Sequence, residues 1–297
     1  MQTLRSHIDA QIARNRGKNL FHPSRGDLFT FLEGTADWKE ELTTCSRNEA
    51  DDLVAYVTDR SLEAFFQVNP YLQVGSSSKE ELKEVYARLL EHFRRPDPGT
   101  SPGLLARRHY RELQEWLRKT DPSSERIFGP LPAFPPVPVC AEYRPDLQMA
   151  LLGGDPSDWL EPVLDLGCGP SGALVIRLRE LGLEAVGLDR CRAAAPHCLT
   201  GNWLEFDYGT STWGTIVSHQ GFSNHFRHHH QRTDGDYLRY ARTFMAILHS
   251  LRPGGSFLYT PGLEFMEGLL PPDKYRVECR PVPGTDHSVT RIRVQEP

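Results

Sequence analysis

Cysteine is scarce and scattered in this sequence. Its six positions, Cys45, Cys140, Cys168, Cys191, Cys198 and Cys279, include no CxxC pair. That usage speaks against a disulfide framework or a structural zinc site and fits a reducing compartment. Long apolar runs are missing too. No stretch approaches the roughly 20 apolar residues of a membrane span, and the N-terminus, MQTLRSHIDAQIARNRGKNL, lacks the uninterrupted apolar core of a signal peptide. A cytoplasmic protein with no membrane contact is the resulting expectation. An excess of positive charge is also absent. With a formal net charge of −5, the surface is not built to neutralise phosphate backbones, and no nucleic-acid partner is expected.

What is present is an ordinary globular composition, 39% hydrophobic over 297 residues, with two textures. From about Ser24 to Lys119 the apolar spacing is helical, in DDLVAYVTDRSLEAFF, SKEELKEVYARLLEHF and HYRELQEWLRK. In the second of these, Ser78 followed by Glu80 and Glu81 reads as a cap with acidic first-turn residues. Residues 129–138, GPLPAFPPVP, hold five prolines and continue neither a helix nor a central strand. The expected organisation is a helical cap or lid over 1–128, a proline-rich connector over 129–145, and a second domain over 146–297.

After the connector, strands and helices alternate. PVLDLG, ALVIRLRELG, EAVGLD, TIVSH, DYLRYARTFMAILHSL and GSFLYT come in turn, followed by YRVECRPV and SVTRIRVQ around a PGTD turn. Alternation of this kind implies an α/β fold whose sheet is mostly parallel. The last two segments are expected to form an antiparallel hairpin at the sheet edge.

The first strand runs into a glycine cluster, VLDLGCGPSG, at 163–172. Glycines there permit positive φ and let a ligand approach the backbone. Pro170 and Ser171 stand where a dinucleotide fingerprint would continue, so that fingerprint fits poorly. The second strand ends in Asp189, a carboxylate able to accept two hydrogen bonds from a ribose diol. Asp165 behind the loop points to a ligand carrying an amine or a cation.

With those residues, 161–260 resembles the class I S-adenosylmethionine (SAM)-dependent methyltransferases, whose first motif has the form hhDxGxGxG and whose second strand ends in a ribose-binding acid. The resemblance implies a Rossmann-like methyltransferase fold with an antiparallel C-terminal edge. It also implies SAM as cofactor, held by Asp165, Gly167, Gly169, Ser171, Asp189, Asn202, Trp203 and Ser218. Asn202 and Trp203 fall where the family places its adenine-flanking loop, and SLRPGGSFLYT is the turn into the fifth strand.

Ligands of open α/β sheets lie beyond the carboxyl ends of the strands, so the loop VSHQGFSNHF after the fourth strand is aimed at the reacting sulfonium. It supplies the candidate catalytic residues Ser218, His219, Asn224 and His225. His219 is the expected base or substrate clamp, because imidazole titrates near neutrality. Tyr143, shortly before the first strand, completes the set as an aromatic face near the cation, worth about 0.5–2 kcal/mol. His228, His229 and His230 read as a solvated cluster, and no metal site is expected. Most of the first-half aromatics, Phe65, Phe66, Tyr71, Tyr86, Phe93, Tyr110, Trp116 and Phe134, read as core.

Methyl transfer to a nitrogen or oxygen nucleophile of a small molecule is the simplest activity the resemblance implies. CAEYRPDLQ, GCGPSG and SHQGFSNHF are also similar to azetidine-2-carboxylate synthases, methyltransferase-like proteins in which the amine of SAM attacks its own γ-carbon and methylthioadenosine leaves. A SAM-binding protein without turnover is the third reading.

Overall fold

The computed structural model describes residues 2–22, 29–33, 39–95, 99–134, 143–153, 155–282 and 284–296. The chain divides into two compact units, Met1–Cys140 and Ala141–Pro297. The part of the proline-rich connector over 135–142 lies outside the described residues.

The first unit is helical, with α1 (Gln2–Asn15), α2 (Lys39–Thr44), α3 (Arg47–Val68), α4 (Ser76–Arg94), α5 (Pro102–Thr120) and α6 (Ser124–Phe128). Helix α3 starts on a capping box. The Ser46 hydroxyl accepts the Glu49 N–H at 3.3 Å, and the Glu49 carboxylate accepts the Ser46 N–H at 2.9 Å. Helix α4 corrects the cap expected at Ser78. It begins earlier, with Gly75 as its cap, and Ser78 turns its carbonyl to the Trp116 indole N–H at 2.7 Å. Phe66, Tyr86, Tyr110 and Trp116 are buried, whereas Phe134 is exposed. Asn19 pins the start of the connector to this unit, its amide donating to the carbonyls of Phe128 and Leu131 at 2.6 and 3.1 Å.

The second unit opens with α7 (Pro145–Leu152), whose first residue is the last of the expected connector, and a 3-10 turn at Pro156–Asp158. It continues with β1 (Val163–Leu166), α8 (Ala173–Glu180), β2 (Ala185–Asp189), β3 (Cys198–Thr200) and β4 (Trp213–His219). Then come α9 (Phe222–His230), α10 (Tyr237–Ser250), β5 (Leu251–Thr260), α11 (Glu264–Glu267), β6 (Tyr275–Pro281) and β7 (Ser288–Val294). Among the described residues the strands form one seven-stranded sheet in the order β3-β2-β1-β4-β5-β7-β6. The first five are parallel, and β7 runs antiparallel to both β5 and β6. The expected α/β fold, with its mostly parallel sheet and antiparallel C-terminal edge, is what the chain forms.

Strand alternation sorts the core into two layers. Val163, Val217 and Leu258 pack with Met149 and Leu152 of α7 and Leu174, Val175 and Leu178 of α8. Leu164, Leu166, Ile216, Phe257 and Tyr259 pack with Phe222 and Phe226 of α9 and Tyr240, Phe244 and Ile247 of α10. Burial on both faces is why β1 reads as the continuous run VLDL rather than as an alternating strand.

Several local expectations are corrected. The turn expected at LRPGG lies within β5 as a bulge, where pairing jumps from Trp213–Leu251 to Thr215–Ser256 and Gly254 has φ +74°. The loop expected after β4 is mostly helix, since α9 takes up Phe222 onward. Strand β3, three residues at the sheet edge with little burial, was too short and too exposed to leave a sequence signal.

Candidate active site

The strand order reverses between β1 and β4, which are direct neighbours with Asp165 paired to Val217. In open α/β sheets the crevice at such a switch point, beyond the carboxyl ends of the strands, is where ligands bind. Two turns border it here: 167–172 after β1, and 220–221 after β4.

The first turn needs its glycines. Gly167 and Gly169 have φ +87° and +71°, in the left-handed region that only glycine enters freely. At Gly167 a Cβ would also sit 3.3 Å from the Trp203 ring. Ser171 serves the loop locally, its hydroxyl accepting the Ala173 N–H at 3.3 Å.

Asp189 clasps this turn from the end of β2. One carboxylate oxygen accepts the Gly169 N–H at 3.1 Å and the other accepts the Cys191 N–H at 2.8 Å. Burial raises its pKa, while those backbone donors pull it down. With the Arg190 N–H as a third backbone donor, the carboxylate still has acceptor capacity for a ligand hydroxyl. Gly187, in the interior of β2, makes this approach possible. A Cβ there would stand 2.7 Å from the Cys168 sulfur of the turn. Sequence reading passed over Gly187, although a glycine inside a strand is a known mark of close approach.

Asp165 lies beneath the turn, 2% exposed. Its Oδ2 is buried with no hydrogen-bond partner among the described residues. Burial, followed by repulsion from Asp189, pushes its pKa up to about 7. A buried carboxyl oxygen without a donor is rare enough to call for a function.

Trp203 forms an aromatic wall against Gly167. His225 meets its ring edge-on with centroids 4.8 Å apart, and Phe222 does so at 6.2 Å. Asn202 starts a tight turn by accepting the Leu204 N–H at 2.9 Å, and the Tyr208 hydroxyl donates to the Trp203 carbonyl at 2.9 Å.

The five candidate catalytic residues lie in different surroundings. His219 ends β4 and meets the Tyr143 ring edge-on, with centroids 4.9 Å apart. Its Nε2 is buried without a partner among the described residues, and burial lowers its pKa to about 4. Ser218 is bonded into the scaffold. Fully buried, its hydroxyl donates to the Leu166 carbonyl at 2.8 Å and accepts the Phe222 N–H at 3.0 Å, so it ties β1 to the start of α9. His225 is buried against Trp203, with the Tyr240 hydroxyl 3.4 Å from its Nδ1. Asn224 uses its amide on the Gln220 carbonyl at 3.2 Å.

Gln220 is a residue that sequence reading missed. Its φ of +54° is costly for a side chain with a Cβ, and it makes the sharp turn from β4 into α9. The histidine cluster is not uniformly solvated either. His229 is buried and stacked on Tyr240 at 4.9 Å, and His230 stacks on Phe265 at 3.8 Å. Among the described residues no group of three or more His, Cys, Asp or Glu side chains is placed to hold a metal, and no helix is long and apolar enough to cross a membrane.

Neither a protein-family model nor a curated protein matches the sequence. Methyltransferases are among the solved structures similar to this chain. One is the N-methyltransferase NodS from Bradyrhizobium japonicum WM9 with S-adenosylhomocysteine, 16% identical over 45% of this chain and 78% of that one, TM-score 0.35. A second is a SAM-dependent methyltransferase from Bacteroides fragilis with S-adenosylhomocysteine, 14% identical over 47% of this chain and 75% of that one, TM-score 0.35. A third is the 1,6-didemethyltoxoflavin-N1-methyltransferase of Burkholderia thailandensis, with 1,6-didemethyltoxoflavin and S-adenosylhomocysteine bound. It is 19% identical over 46% of this chain and 71% of that one, TM-score 0.31.

Proposed function

We propose that the chain is a SAM-dependent enzyme that transfers a methyl group to a nitrogen or oxygen nucleophile of a small molecule. The observation that carries this reading is the pair of acids around one glycine turn. Asp189 lines the turn with both oxygens already oriented by backbone donors, and Asp165 offers a buried oxygen with no donor. The first suits a ribose diol, the second an amine or its cationic neighbourhood. The residues present fit such a ligand: Gly167 and Gly169 let it approach the backbone, Asn202 and Trp203 border its base, and Ser171 fixes the exit of the turn.

When bound, SAM supplies an electrophilic carbon on a sulfonium. The protein's part is positioning and water exclusion. His219 and Tyr143 form the edge of the crevice at β4, where an aromatic face favours a cation. With its pKa near 4, His219 is neutral at physiological pH. It acts as an acceptor that orients an amine or hydroxyl through Nε2, and takes a proton only from a group that has become acidic. Ser218 and His225 are positioning residues, holding the start of α9 and the Trp203 ring.

The deciding experiment is incubation with SAM alone, then with candidate small-molecule acceptors, with products identified by mass spectrometry. S-adenosylhomocysteine formed only with an acceptor supports methyl transfer. Methylthioadenosine and azetidine-2-carboxylate formed from SAM alone would replace it by intramolecular cyclisation. Asp189→Ala is expected to weaken SAM binding at least tenfold, through loss of a charge-assisted pair of hydrogen bonds worth about 1.5–3 kcal/mol; unchanged affinity would refute the placement.

A further inference from the structure

Two thiols meet beside the glycine turn, within the second unit. Cys168 stands in the turn between Gly167 and Gly169, and Cys198 opens β3, the edge strand of the sheet. Gly187 of β2 leaves room for both. A Cβ there would lie 2.7 Å from the Cys168 sulfur and 2.9 Å from the Cys198 sulfur. Gly172 makes room for Cys198 a second time, since a Cβ on it would lie 2.7 Å from the same sulfur. The two sulfurs thus share one glycine-made space, and the thiols hydrogen-bond to each other. Both cysteines are half-buried rather than sealed in the core.

We propose that Cys168 and Cys198 are a redox switch, closing to a reversible disulfide that draws the glycine turn off Asp189. The oxidant is a low-molecular-weight disulfide. The Cys198 thiolate attacks one of its sulfurs, and a small thiolate leaves. The Cys168 thiolate then attacks the Cys198 sulfur of the mixed disulfide, and a second small thiolate leaves. The two cysteine protons end on the departing thiolates, so the pair loses two electrons and the small disulfide gains them. Burial raises both thiols, and the Asp165 and Asp189 carboxylates add to the rise at each; at Cys198 the hydrogen bond from the Cys168 thiol opposes it, which favours Cys198 as the first nucleophile.

What holds each partner decides which one moves. Cys198 is fixed by the sheet, paired with Gly187, whose N–H donates to the His197 carbonyl at 3.0 Å. Cys168 is held loosely, its N–H reaching the Leu188 carbonyl only at 3.5 Å. A sulfur–sulfur bond of about 2 Å is shorter than a contact between two thiols, so closure draws Cys168 towards β3. Gly169 follows it, and its N–H leaves the Asp189 carboxylate that it meets at 3.1 Å. The consequence for SAM rests on the proposed reading of this turn, whereas the disulfide and the movement of the turn do not.

The test treats the full chain with 2-hydroxyethyl disulfide and then with dithiothreitol. Linkages are mapped by peptide mass spectrometry, the Gly167 and Gly169 amide signals are followed by NMR, and SAM affinity is measured by calorimetry. The expected result is a Cys168–Cys198 linkage, displaced glycine signals and SAM binding about tenfold weaker, as Asp189 loses a donor that orients it, all reversed by dithiothreitol. Cys198→Ala is expected to bind SAM as the natural chain does and to be insensitive to the oxidant. Oxidation that leaves Cys168 and Cys198 unlinked, a linkage that leaves the glycine signals in place, or one that leaves SAM affinity unchanged would overturn the proposal. A reduced chain that binds no SAM would instead refute the reading of the turn, and the linkage and the glycine signals would then decide the switch. If Cys198→Ala fails to fold, the natural chain decides, since an affinity that dithiothreitol does not restore would equally refute it.

Discussion

Asp165 is buried and His219 half-buried at the carboxyl end of the central strands, and burial drives their titrations in opposite directions. Asp165 titrates near 7 in the folded chain against 3.8 ordinarily. The folded state therefore keeps a proton that the unfolded chain releases. The stability this contributes is complete below about pH 4 and is lost as pH rises through 7. Asp165→Asn removes that slope and is expected to stabilise the second unit at pH 8 by a few kcal/mol. Urea unfolding at pH 5 and pH 8 checks it, and equal slopes in both proteins would refute it. His219 titrates near 4 against 6.5 ordinarily. The unfolded chain takes up the proton first, so stability falls as pH drops from 6.5 towards 4. The same displacement places the acid limb of turnover near pH 4, and a pH–rate profile falling at 6.5 would exclude His219 as the controlling group. His219→Ala is expected to lower kcat while leaving the affinity for SAM within about twofold, a split that separates orientation from binding.

At the scale of elements, two junctions carry the site. Ser218 links β4, β1 and α9 through one hydroxyl, and Ser218→Ala leaves the buried Phe222 N–H unpaired. The expected loss is about 1–3 kcal/mol, read from denaturant unfolding. The turn into α8 depends on Gly172, with φ +58°, where a Cβ would meet the Cys198 sulfur at 2.7 Å and the Ala195 Cβ at 2.8 Å. Gly182 has φ +89° but open space around it. Gly182→Ala is therefore expected to cost only backbone strain, about 1–2 kcal/mol, and Gly172→Ala to cost distinctly more. Equal losses would show that the crowding at Gly172 relaxes freely. These junctions also mark the limit of sequence reading. Apolar periodicity located α3, α8 and α10, because burying a face imposes the helical period. It misplaced the cap of α4 by three residues, since Gly75 and Ser78 are both acceptable caps. It read the α9 segment as a loop because glycine, serine and asparagine precede the histidines.

At the scale of the whole molecule, each unit has a core of its own. Leu4, Leu42 and Leu53 cluster in the first, and the two layers around the sheet lie wholly within the second. Ala141–Pro297 expressed alone is expected to unfold cooperatively and to bind SAM, because the glycine turn, Asp189 and Trp203 all belong to it; an unfolded fragment would refute this. The alternation of strands and helices, the glycine turn and the strand-terminal acid were all legible in the residues alone. These are local properties, written in periodicity, in glycine's backbone freedom and in a residue's place at the end of an apolar run. Tertiary structure alone decided which polar side chains remain available. Ser218, His219, Asn224 and His225 sit within one short stretch and look alike as sequence. Their roles differ because β1, Trp203 and Tyr240 come to them from distant parts of the chain, and hydrogen bonding and burial are set by those neighbours.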